Sequence, residues 1–143
     1  MNSNLFATGL GLFAFAVGLF AAPADKKAAP PKKISYYKDI RPIFQANCQG
    51  CHQPAKAKGD YVMTDFKLML GAGESKLPAV VANSPDKSNL VKLITPKDGK
   101  AEMPEGRKPL HATEIETIRH WIAQGALDDT PANAKERYDM NHP

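Results

Sequence analysis

Five residues, Cys48-Gln49-Gly50-Cys51-His52, set two thiols and an imidazole at a spacing that one small ligand can engage at once. Residues three and four apart share one face of a helical turn, so Cys48, Cys51 and His52 project together. Two thiols so placed can form thioethers to the two vinyl groups of one porphyrin. The imidazole that follows is then carried beneath the iron as its proximal ligand. This is the spacing of a c-type haem attachment element. Gln49 and Gly50 carry no evident chemistry, and Gly50, lacking a side chain, leaves the macrocycle room.

A bare Cys-x-x-Cys also serves thiol–disulfide exchange or half of a zinc site. The chain has two cysteines in all, so no second pair exists to complete a zinc site. A thioredoxin-like motif needs a βαβ context, and the sequence has no strand-rich pattern. The histidine directly after the second cysteine favours haem over both.

His52 would occupy one face of the iron, which leaves the opposite face to be filled or open. A methionine thioether is soft and favours Fe(II), and Met/His ligation raises the reduction potential. Met103 is the candidate. It lies in a polar loop where a large apolar side chain has no periodic packing reason, and Pro104 biases its backbone towards an extended form. Met63 follows Tyr61 in an apolar segment and Met69 shares a short helix with Phe66 and Leu70, so both read as core. Met140 and His142 belong to the tail. His120 reads as a helix-edge residue, and His111 is the alternative nitrogen ligand.

These side chains need elements to carry them. Asp39, as an N-cap, with Pro42 in the first turn, predicts a helix running to the thiols. Ile40, Phe44 and Cys48 fall on one face at i, i+4 and i+8, with Ile43 broadening it. Gln53 to Gly59 reads as a loop. A short helix is expected over Phe66 to Leu70, started by Thr64-Asp65 and ended by Gly71-Ala72-Gly73. Ser84-Pro85-Asp86 reads as the start of a helix buried through Leu90, Val91 and Ile94 and stopped by Pro96. Thr113-Glu114-Ile115-Glu116 reads as a capping box, followed by Ile115, Ile118, Trp121 and Ile122, with Gly125 at the C′ position.

Leu5 to Ala22 is almost wholly apolar and ends in Ala22-Pro23-Ala24, the pattern of a signal peptide cleaved after Ala24. The alternative is an uncleaved anchor of about minimum span length. Either way the rest is exported, which agrees with haem attachment outside the bacterial cytoplasm. The expected organisation is a leader over 1–24, a Lys/Ala/Pro-rich linker over 25–34, a domain over 35–129 and a flexible tail over 130–143. A domain of under a hundred residues has a modest core and gains from a covalent staple.

With these residues in hand, the chain resembles the planctomycete-type cytochrome c domain over about Asp39 to Ala126. The resemblance is carried by Asp39-Ile-Arg-Pro-Ile-Phe44, Cys48-x-x-Cys51-His52, and Lys58-Gly59-Asp60 leading to Gly71-Ala-Gly-Glu74. It continues through Ser84-Pro-Asp-Lys-Ser88, Met103-Pro104 and Trp121-Ile-Ala-Gln-Gly-Ala126. It implies an all-α, cytochrome c-like domain packed around one covalently attached haem c. It also implies that the first and last helices pack across each other, with His52 and Met103 as axial ligands. Glu105 stands where a second proline is usual, and such domains often sit inside much larger exported proteins.

Lys and Arg number 19 against 15 Asp and Glu, a formal net charge of +4. No basic stripe interleaves with aromatics, so nothing points to nucleic acid. Lys56, Lys58, Lys97, Lys100, Arg107 and Lys108 flank the two ligand segments and would steer an acidic redox partner. Membrane association is expected only if the leader stays attached. The reading is a periplasmic mono-haem electron carrier rather than an enzyme, with Cys48 and Cys51 holding the porphyrin and His52 and Met103 the iron. The rivals are a haem enzyme or gas sensor with an open sixth position, a haem module of a larger exported complex, and a haem-free thiol protein. A single C-x-x-C-H argues against a peroxidase that needs a second c-type haem.

Overall fold

The computed structural model describes residues 32–134. The expected leader, most of the expected linker and the tail beyond 134 lie outside the described residues. Among the described residues no helix is long and apolar enough to cross a membrane.

The first helical run begins earlier than expected, at Ser35 rather than Asp39. The Ser35 hydroxyl accepts from the Lys38 N–H at 3.0 Å, and the Asp39 carboxylate accepts from the Ser35 N–H at 2.8 Å. Asp39 therefore completes a cap that Ser35 opens. A wide π turn, Tyr36–Ile40, leads into α1 (Arg41–Asn47). Pro42 explains the wide turn. It has no N–H to give the Lys38 carbonyl, and in a regular α-helix its ring would crowd that carbonyl. Ile40 and Phe44 are fully buried and Cys48 packs beside them, as the stripe predicts.

α1 stops at Asn47, and the haem motif forms the turn after it. The N–H groups of Cys51 and His52 both donate to the Cys48 carbonyl at 3.1 Å. One helical turn thus carries the three side chains, but it follows the helix instead of lying within it. The chain then departs from an all-helical plan. The expected loop after His52 holds a two-stranded antiparallel hairpin, β1 (His52–Gln53) against β2 (Lys56–Ala57), with His52 opposite Ala57. The fold remains small and mostly helical.

α2 (Phe66–Met69) starts where expected, with the Asp65 carboxylate accepting from the Leu68 N–H at 2.9 Å. α3 (Asn89–Ile94) starts later than expected. Ser84-Pro85-Asp86 opens only a 3-10 turn, Pro85–Lys87, and Ser84 makes no side-chain cap bond. Ser88 causes the break. It is fully buried, its hydroxyl donates to the Ser84 carbonyl at 3.0 Å and accepts from the Val81 N–H at 2.9 Å, and its backbone is extended. Leu90, Val91 and Ile94 are buried as predicted, and Thr95 turns extended before Pro96.

α4 (Ala112–Ala123) is capped by His111, not by Thr113. The His111 N–H donates to the Glu114 carboxylate at 2.8 Å, so Glu114 takes the role expected of Glu116. Ile115, Ile118, Trp121 and Ile122 are buried. The helix ends in a Schellman turn. Gly125 (φ +102°) donates to Ile122 at 3.0 Å and Ala126 donates to Trp121 at 3.0 Å. The first helical run meets α4 through aromatic rings, Trp121 lying 5.6 Å from Tyr36 and 6.4 Å from Phe44.

Candidate functional site

The two thiols, the imidazole and the Met103 thioether all line one cavity of about 410 Å³. That volume lies within the range of small-molecule and cofactor sites. The sequence separates the two ligand-bearing stretches widely, and folding brings them to one cavity.

Two anchors set His52. Its Nδ1 lies 3.0 Å from the Lys58 carbonyl oxygen. A carbonyl only accepts, so Nδ1 carries a proton, and in the neutral ring Nε2 is the nitrogen with the lone pair. That is the tautomer a metal-binding imidazole needs, with the other nitrogen oriented by a hydrogen bond. Tyr61 presses edge-to-face against the ring, centroids 5.5 Å apart, and its hydroxyl donates to the Met69 carbonyl. Burial is the main cause that pushes the Tyr61 phenol upwards, so it stays neutral.

The Lys58 carbonyl is itself held. Lys58 N–H donates to the Cys51 carbonyl at 3.1 Å, and Gly59 and Asp60 turn the chain through positive φ. Gly73 packs against this turn so closely that a Cβ there would sit 2.7 Å from the Gly59 carbonyl oxygen. The Lys58-Gly59-Asp60 and Gly71-Ala-Gly-Glu74 segments are thus two sides of one close backbone approach.

Cys48 and Cys51 are not bonded to each other. Burial pushes the Cys48 thiol up to about 12, against a smaller downward pull from Arg107. A thiol so shifted is neutral at pH 7, unlike the thiolate of a disulfide-exchange motif. Among the described residues no group of three or more His, Cys, Asp or Glu is arranged to hold a bare metal ion. The buried, neutral Cys48 thiol counts against the disulfide-exchange reading.

Met103 lines the cavity from the loop after α3, to which it is tied by its N–H donating to the Leu93 carbonyl at 2.9 Å. Met63 also lines the cavity, although its sequence context points only to core. Its N–H donates to the His52 carbonyl at 2.9 Å, so its backbone is tied to the histidine. Met103 is tied instead to Leu93, in a stretch separate from the histidine turn. Met69 is fully buried and is not on the cavity wall. His111 is the α4 cap and also lies off the wall, while exposed His120 sits 3.0 Å from Glu116. Met140 and His142 lie outside the described residues.

The remaining wall is mainly apolar, with Ala79, Leu90, Leu93 and Ile94 among its residues. A flat apolar macrocycle held by two thiols and two iron ligands fits this lining. Gln49 has a role its sequence position did not signal, for its amide donates to the Met63 carbonyl at 2.9 Å and ties the motif turn to the Tyr61–Met63 segment. The lining also carries charge of both signs, Lys58 and Arg107 with Glu74 and Glu105. Lys58 Nζ meets Glu105 Oε2 at 2.6 Å.

Neither a curated protein nor a solved structure matches this chain. Residues 48–106, from the first thiol to just beyond Met103, match the family model described as Planctomycete cytochrome C, which supports a planctomycete-type cytochrome c domain over that stretch.

Proposed function

We propose that this protein is an exported mono-haem c-type cytochrome that carries single electrons between redox partners. Cytochrome c domains bind haem c and generally transfer electrons, which sets the broad class. The observation that carries the finer reading is the one cavity that Cys48, Cys51, His52 and Met103 all line. When bound, haem supplies the Fe(II)/Fe(III) couple. Cys48 and Cys51 hold the porphyrin edge. His52 presents Nε2 from a ring fixed at Nδ1. Met103 would offer a neutral sulfur, which favours the reduced metal. Leu90, Leu93 and Ile94 keep water away, and the low dielectric they provide helps set the potential. No side chain is required as an acid, base or nucleophile.

The leader over 1–24 and a periplasmic location complete the proposal, since cytochrome c domains are typically exported. The test is a visible spectrum of protein made in a host competent for c-haem attachment, read oxidised, reduced, and reduced under carbon monoxide. Covalent haem with a sulfur–iron charge-transfer band that Met103→Ala abolishes is the expected result. Covalent haem without that band, with ready carbon monoxide binding, would replace the carrier by an open-site enzyme or sensor. No covalent haem would return Cys48 and Cys51 to thiol chemistry.

A further inference from the structure

We infer that Lys58 positions both proposed iron ligands at once, its backbone holding His52 and its side chain holding the segment that carries Met103. The inference rests on the haem reading above.

The two ends of Lys58 point to different stretches of chain. Its carbonyl accepts from His52 Nδ1 at 3.0 Å, and its ammonium meets Glu105 at 2.6 Å. Glu105 is two residues beyond Met103, in a turn where the Arg107 N–H donates to the Pro104 carbonyl at 3.2 Å. Lys58, Met103 and Glu105 all line the cavity. Among the described residues, this is the ion pair that joins the histidine hairpin to the methionine segment; the others lie on α4 or join it to Asp86. The backbone end cannot slide freely, because the 58–60 turn is braced by Gly73. A Met103 segment that swings away must therefore break the Lys58–Glu105 contact, or pull on the turn whose carbonyl fixes the imidazole.

The pair is exposed, so it biases the ligand set rather than enforcing it. Exposed ion pairs shift an equilibrium by about two- to five-fold at most. Carbon monoxide can bind the ferrous holoprotein only after Met103 leaves, so its binding rate reads that equilibrium. Exchange of the His52 ring N–H proton, followed by NMR, reads the other end.

The experiment compares the wild-type holoprotein with Lys58→Met, Glu105→Gln and the reversed pair Lys58→Glu/Glu105→Lys. Lys58→Met removes the ammonium but keeps the carbonyl. Each single variant should speed carbon monoxide binding by about two- to five-fold and hasten ring N–H exchange, and the reversed pair should restore both. Added salt should speed binding in wild type and not in Glu105→Gln. Unchanged rates in both single variants, or a reversed pair that restores neither readout, would overturn the inference while leaving the haem reading intact. A wild-type holoprotein lacking the sulfur–iron band would remove Met103 as ligand, and this inference with it.

Discussion

A histidine that serves as a ligand has two freedoms to lose, its tautomer and its ring angle. The Lys58 carbonyl removes the first and the edge of Tyr61 the second. Tyr61 is in turn pinned by its hydroxyl on the Met69 carbonyl. Tyr61→Phe keeps the ring edge and loses that bond, leaving a carbonyl without its partner. It should lower stability by about 1 kcal/mol in urea unfolding while leaving the absorption spectrum unchanged. A loss of the spectrum together with stability would mean that the hydroxyl, not the ring edge, sets the imidazole. Cys48, Cys51 and His52 were legible because their chemistry is written in adjacent residues. Met103 stood out as a ligand candidate because it is an apolar residue without a packing reason, and it lines the cavity. Lys58, Tyr61 and Gln49 were not legible, because their roles come from where a turn places a carbonyl or a ring. No residue type encodes that.

The buried faces of the helices follow the sequence pattern closely, and their ends do not. Two capping boxes overlap at the start of α4, one from Thr113 to Glu116 and one from His111 to Glu114. Packing decides between them. With His111 as cap, Leu110 and Ile115 occupy the two staple positions, and both are buried in the same cluster. With Thr113 as cap those positions would fall to Ala112 and Thr117, which offer no such contact. Ser88 breaks the helix expected from Ser84 for a similar reason, since its hydroxyl is committed to Val81 and Ser84 in the core. The other end of α4 was readable because Gly125 has a backbone reason to be glycine. Gly125→Ala should cost about 1–2 kcal/mol in thermal or urea unfolding, because alanine resists the positive φ of the Schellman turn. An unchanged midpoint would show that the turn relaxes at no cost.

At the scale of the whole molecule, charge and connectivity matter more than any one contact. The net charge of +4 motivates docking on an acidic partner. Lys58 is already paired with Glu105, so steering falls to Lys56, Lys97, Lys100, Arg107 and Lys108. Second-order electron-transfer rates with an acidic partner should fall as salt rises from about 0.01 to 0.15 M. A flat dependence would sink the steering idea. The helical class was legible from the period of the apolar residues. The hairpin after His52 was hidden, because two residues per strand are too few to show a period. The cavity has a further consequence in polymer terms. His52 and Met103 line one cavity but are separated by about fifty residues, and a cross-link between such points removes roughly 4 kcal/mol of loop entropy from the open chain. On the proposed ligand set, iron is therefore a reversible knot in the chain. Untying it at Met103 frees α3 and the intervening turns from one constraint while both thioethers keep the cofactor from leaving.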